Sequence, residues 1–315
     1  MKKRSKFLMF MLVAMLVAGV FVVTGCDADD AVEEEPEEGE EVEVEESGEI
    51  VVAGKQYAEG LILGYMAAQI IEENTAMTVD TSMIGMGPTE MLHPALLEGD
   101  IDLYPEYTGT SWMVVLEEDE LPDHDVIFDK VKEAYAEEFG LTVLEPLGFE
   151  NTFAIAVTEE KAEELGVSTL SELGEVDGLT FIGDSTTFTR EDAYLGLENV
   201  YGFDMEQTVV DTAFFYEALE QGEGDVTTLF STDGRLKEYG FVVLEDDQNF
   251  FPPYDAIYVA RSDILEQYPS VEEALSPLFG LIDEETMIEL NFQVEVEQKD
   301  AEDVAREFLE EQGLI

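Results

Sequence analysis

The residues of this 315-residue chain whose types suit catalysis are few: two histidines, His93 and His124, one cysteine, Cys26, and the carboxylates Asp100 and Asp102, two positions apart. Zinc or imidazole chemistry needs a further ligand or partner at close spacing, and neither histidine has one in the sequence. His93 precedes Pro94 in a short apolar stretch and reads as a surface or capping residue. Asp100 and Asp102 would suit a surface carboxylate-dependent hydrolase, but a strand start between polar residues explains them without catalysis. No Gly-rich phosphate loop, nucleophile elbow or calcium loop occurs. The balance favours binding over turnover, with no catalytic residue, no metal and no cofactor expected.

The elements that must position a binding site follow from the alternation of short apolar runs with helical patterns from Ile50 onward, the signature of an α/β chain. Strands are predicted over 50–54, 77–84 and 101–104, with helices over 61–72 and 89–98 between them. The same grammar returns in strands over 180–182, 209–211 and 226–230 and helices over 191–201 and 214–221. Apolar stretches at 149–157 and 250–259, the second stiffened by Pro252-Pro253, look like two crossings between units. Helices near 283–291 and 301–312 close the chain. The expected lobes are therefore 50–152 with 255–315, and 153–254, with ligand held in the cleft between them.

Four motifs occur in order along this body: Gly54-Lys55-Gln56-Tyr57-Ala58-Glu59, then Gly99-Asp100-Ile101-Asp102-Leu103-Tyr104-Pro105-Glu106-Tyr107-Thr108-Gly109-Thr110, Ser231-Thr232-Asp233-Gly234-Arg235 and Phe251-Pro252-Pro253-Tyr254. With them the chain resembles the quaternary-ammonium substrate-binding proteins of ABC transporters, the glycine betaine, choline and proline betaine group used in osmoprotection. The resemblance spans essentially all of 50–315. It implies a two-lobed periplasmic-binding-protein-like fold of type II, a small-molecule quaternary ammonium ligand, and a permease subunit with its ATPase as partner.

The resemblance also assigns roles. Tyr107, Phe153, Phe230 and Tyr254 match the aromatic cage for a trimethylammonium head, with Phe at two positions where relatives often carry Tyr. A quaternary ammonium has no N–H and spreads its charge over methyl groups, so ring quadrupoles hold it where hydrogen bonds cannot. Lys55, Thr110 and Arg190 match positions that bind a betaine carboxylate, Arg190 as a bidentate fork and Lys55 as a point charge. Glu90, at the start of a helix, and Asn151 offer polar contacts. Glu90 would accept from a choline hydroxyl, although an acid in a first helical turn also complements the helix dipole. The leading expectation is a glycine betaine receptor; a choline- or carnitine-preferring receptor and a sensor for the same ligands are the alternatives.

Residues 1–26 read as a lipoprotein signal peptide: Lys2, Lys3, Arg4 and Lys6, an apolar run too short to span a bilayer, then Val23-Thr24-Gly25-Cys26, which resembles a lipobox. Lipid on Cys26 would anchor the protein outside the cytoplasmic membrane. Residues 27–49 carry 14 acids and no base and read as a disordered, self-repelling tether.

The whole chain has 75 Asp and Glu against 14 Lys and Arg. Because four of the bases lie in the leader, the body from Ile50 keeps ten bases and a formal charge of about −51. Such a surface repels phosphates and excludes nucleic acid as a partner. Its self-repulsion is relieved by screening, which suggests a protein that works in strong salt.

Overall fold

The structure, a computed structural model, describes residues 47–118, 122, 124–190 and 193–315, apart from the side chains of Asp125 and Ala213. The expected signal peptide, Cys26 and the tether up to residue 46 lie outside the described residues. In chain order the strands are β1 (Glu49–Gly54), β2 (Thr78–Ile84), β3 (Leu103–Tyr107), β4 (Leu141–Val143), β5 (Phe153–Thr158), β6 (Thr180–Gly183), β7 (Glu206–Val209), β8 (Val226–Phe230), β9 (Phe241–Val243) and β10 (Ala256–Arg261). Helix α1 (Ala58–Asn74) follows β1, and α2 (Thr89–Glu98) follows β2.

The strands build two five-stranded sheets, ordered β2-β1-β3-β10-β4 and β7-β6-β8-β5-β9, and helices complete an α/β, two-lobed fold of the type II periplasmic-binding-protein kind. In the first sheet β1 runs parallel to β2 and β3, and β10 runs antiparallel to β3 and β4. In the second, β6 runs parallel to β7 and β8, and β5 runs antiparallel to β8 and β9. Each sheet thus receives one antiparallel strand directly after a crossing: β5 after the first and β10 after the second.

Both faces of the central strands are covered, which is why they read as near-continuous apolar runs. Along β10, Ala256, Tyr258 and Ala260 join the core around α1, while Ile257 and Val259 join the opposite core with Ile101, Tyr104 and Ile127. Helix α1 buries Ile62, Leu63, Met66, Ile70 and Ile71. At roughly 1.5–3 kcal/mol for each buried large side chain, this outweighs the ~1 kcal/mol that Gly60 and Gly64 each cost in a helix interior.

Three local expectations change. The third strand forms at Leu103–Tyr107 instead of 101–104; just ahead of it Asp102 accepts from the Val51 amide at 2.9 Å and pairs with Arg261 at 3.0 Å. The strand expected at 209–211 forms at Glu206–Val209, a polar edge strand bonded only to β6, and Val209 is an exposed residue there. His93 is a core residue, not a surface one. It is 8% exposed and packs against the rings of Tyr135 and Phe139, at 5.6 and 4.8 Å between centroids. Burial pushes its imidazole pKa down, so the ring is held neutral.

Candidate functional site

The residues named for ligand binding collect at the ends of strands next to the two crossings. Tyr107 ends β3, Phe153 begins β5, Phe230 ends β8, and Tyr254 stands two residues before β10. Ladder register sets Phe153 opposite Phe230, and Tyr107 opposite Ala256, two residues after Tyr254. Glycines make room for this. A side chain on Gly109 would meet the Pro253 carbonyl at 2.7 Å and the Tyr254 ring at 2.8 Å, so glycine there admits the Tyr254 ring. A side chain on Gly60 would meet Lys55 Cβ at 2.6 Å; its absence lets α1 start tight against the end of β1, and Lys55 and Glu59 both reach the same cavity.

A cavity of about 460 Å³ is lined by Lys55, Tyr57, Tyr107, Thr110, Phe230 and Tyr254, together with the polar residues Glu59, Asn151, Thr232, Asp233, Arg235, Asn291 and Glu295. A second cavity, of about 270 Å³, enters the second lobe and is lined by Phe153, Phe230, Arg190 and the buried rings of Phe181, Tyr194 and Tyr216. Phe230, Asp233 and Arg235 border both. The structure therefore brings Tyr107, Tyr254, Phe230, Lys55, Thr110 and Asn151 to one cavity, and places Phe153 and Arg190 in the adjoining one. Glu90 borders neither; it lies with Lys55 and Thr110 along a small hollow of about 140 Å³. Asp100 and Asp102 line none of these spaces, and Asp102 is committed to Arg261. A larger hollow, about 900 Å³, runs past Lys237, Glu289 and Lys299 and contains none of the expected ligand residues.

The hub of the site is Glu59, a carboxylate that is 2% exposed. One oxygen, Oε1, accepts from the Tyr107 hydroxyl and from Asn151 Nδ2, and Oε2 accepts from Asn291 Nδ2 at 3.0 Å. Tyr107 in turn accepts from the Tyr57 hydroxyl at 3.1 Å, which adds a fifth ring beside the cage. All of Glu59's partners are neutral donors; it forms no ion pair among the described residues. Burial and the Glu59 charge push the Tyr107 hydroxyl pKa well up, so it stays a donor. Glu295, on the Glu284–Glu295 helix, accepts from the Gly234 amide at 3.0 Å, and desolvation, with Asp233 and Glu59 adding like charge, raises its carboxyl to about 7.

The cations are less available than the sequence suggested. Lys55 is 5% exposed and its ammonium pairs with Glu106, which is fully buried and also accepts from Thr89 Oγ1 at 2.7 Å and the Tyr107 amide at 2.9 Å. The Lys55 charge is thus matched inside the protein; it also lies 4.7 Å from the centre of the Tyr107 ring. Arg235 holds Asp233 through two bonds, at 3.0 and 2.7 Å, and stacks on Tyr216 at 4.2 Å. Arg190 is exposed at the rim of the second cavity.

Sequence reasoning left out Tyr57, Glu59, Thr232, Asp233, Arg235, Asn291 and Glu295 as site residues. Tyr57, Glu59 and the 232–235 turn sit inside the quoted motifs, which was the available signal. Asn291 and Glu295 carry none, since they reach the cavity from a helix more than 200 residues beyond Glu59.

Comparison with known proteins gives a consistent set of matches. Residues 48–311 match the family described as the substrate binding domain of ABC-type glycine betaine transport systems. An ergothioneine transport permease/ergothioneine binding protein of Helicobacter pylori is 37% identical over 267 residues, covering 84% of this chain and 48% of that protein. The chain thus spans about half the length of that relative. A carnitine transport binding protein of Listeria monocytogenes is 32% identical, covering 82% of this chain and 84% of its own length. Among solved structures, a glycine betaine/carnitine/choline ABC transporter crystal structure superposes with a TM-score of 0.77 at 29% identity, covering 84% of this chain and 99% of that one.

Proposed function

Because the chain belongs to the substrate-binding domains of ABC-type glycine betaine transport systems, we propose that it captures a betaine-class quaternary ammonium solute between its two lobes, outside the cytoplasmic membrane, and delivers it to a permease. The observation that carries this reading is the cavity in which the Tyr107, Tyr254 and Phe230 rings stand beside the buried Glu59 carboxylate. Rings and an acid with only neutral partners make a site for a cation that has no N–H to give.

In this reading Tyr107, Tyr254, Phe230 and Phe153 form the cage, with the first three on the larger cavity and Phe153 stacked behind Phe230. Arg190 takes the ligand's carboxylate from the second lobe, assisted by the Thr110 hydroxyl. Lys55 contributes less than its charge suggests, because Glu106 neutralises it. The lobes are residues 50–152 with 255–315, and residues 153–254, closing on the ligand. Lipid on Cys26 holds the protein at the membrane surface, and the 27–49 segment serves as its tether.

Isothermal titration with glycine betaine, proline betaine, carnitine and choline tests the proposal. Binding of at least one is expected in the micromolar range, about −8 kcal/mol. Absence of heat with all four, confirmed by an unshifted melting temperature, overturns it.

A further inference from the structure

Three residues that line the main cavity each carry a buried side-chain oxygen with no hydrogen-bond partner among the described residues: Asn151 Oδ1, Asn291 Oδ1 and Thr232 Oγ1. Asn291 and Thr232 are 3% and 1% exposed. Buried polar atoms are nearly always paired in folded proteins, because one left unmade forfeits its hydration without return. Eleven such atoms occur among the described residues, and these three are gathered on residues of one cavity, which calls for a reason.

The amide orientations are fixed, so the oxygens cannot be relieved by turning the side chains over. Asn291 spends both N–H bonds, on Glu59 Oε2 at 3.0 Å and on the Thr232 carbonyl at 2.8 Å. Asn151 donates to Glu59 Oε1 at 2.9 Å. Reversing either amide would set a carbonyl oxygen against a carboxylate oxygen. Glu59 thus acts as a positioning residue: it takes one N–H from each amide and so fixes the orientation that leaves their oxygens unspent.

We propose that the ligand of this cleft is a quaternary ammonium compound that also carries a hydrogen-bond donor, a hydroxyl or a ring N–H, and that Asn151, Asn291 and Thr232 select it by accepting from that donor. This rests on the quaternary-ammonium reading above and narrows it. Glycine betaine has neither O–H nor N–H; its carboxylate can take a bond from the Thr232 hydroxyl, but both amide oxygens stay unmade. A hydroxylated betaine, an amino alcohol or a betaine with an azole ring supplies what they lack. A site built to bond a donor discriminates strongly against an analogue without it, since the buried acceptors then stay unpaired.

The test titrates the purified protein with three donor-bearing ligands, carnitine, choline and ergothioneine, and two donor-free ones, glycine betaine and γ-butyrobetaine. The last is carnitine without its hydroxyl. The tightest ligand is expected to carry a donor and to bind at least tenfold more tightly than either donor-free compound. Asn291→Leu and Asn151→Leu should each erase most of that preference, with the loss falling on the donor-bearing ligand. Should Asn291→Leu fail to fold, the half-buried Asn151 position carries the test. Donor-free ligands binding as tightly as donor-bearing ones, or a preference unchanged in the folded variants, overturns the inference and leaves the quaternary-ammonium reading standing. No binding by any of the five defeats that reading as well.

Discussion

Phe153 and Phe230 face each other across the antiparallel β5–β8 pair with ring centroids 5.1 Å apart and planes 25° from parallel. Phe153 backs Phe230, which is 52% exposed and borders both cavities. The pair forms one apolar wall, not two independent contacts.

Phe230→Ala removes the ring that reaches the main cavity. A desolvated cation–π contact of about 2 kcal/mol corresponds to roughly a 30-fold weaker Kd. Stability should change little because half of the ring is already in solvent. An unchanged Kd in calorimetric titration of the ligand would remove Phe230 from the cage.

The Lys55–Glu106 pair should matter more to stability than to affinity. Both groups are buried, and removing one partner of such a pair typically costs about 3–5 kcal/mol because the other is left charged and alone. Lys55→Met is expected to lower the urea midpoint sharply, and adding Glu106→Gln should recover much of the loss. A double variant no more stable than the single one would show that the charge pair is not the source.

Glu295 is expected to make ligand binding depend on pH. Its carboxyl is raised to about 7 by burial and by Asp233. In the free protein the raised value means the protonated form is favoured, so its stabilising contribution is fully present below the ordinary Glu range and is lost as pH rises through about 7. A quaternary ammonium beside it favours the ionised form instead. Affinity should therefore rise from pH 6 to pH 8, and the rise should flatten in Glu295→Gln; a wild-type Kd independent of pH over that interval would contradict the assignment.

The acidic surface sets a salt dependence. With a formal charge of about −51 on the body, screening at molar salt should raise the melting temperature relative to low ionic strength. A thermal scan at both conditions decides it, and an equal or lower value in salt would count against a saline working environment.

Much of the architecture was legible where the end signals are local. The helix at Ala301–Gln312 matches its expected limits because Asp300 caps it at one end and Gly313, at φ 69°, ends it at the other. Helix α2 stops at Gly99, at φ 79°, for the same reason. Strand β7 was misplaced because an edge strand of Glu, Gln and Thr has no apolar alternation to read. In the site, Tyr107 and Tyr254 stood out because each lies in one of the four ordered motifs. The Lys55–Glu106 pair and the Asn291–Glu59 bond were invisible because they join positions 51 and 232 residues apart. His93 was misjudged because its neighbours in space, Tyr135 and Phe139, come from another helix.

The late arrival of β10 in the first sheet has a consequence for folding. β3 and β4 are hydrogen-bonded through β10 and not to each other, so that sheet stays split until residues 256–261 have joined it. All strands of the second sheet lie within 153–243 and can close earlier. Long-range pairing of this kind slows folding. The folding chain should therefore carry one closed sheet and one open apolar edge until the last strand docks, the interval in which it is most exposed to aggregation.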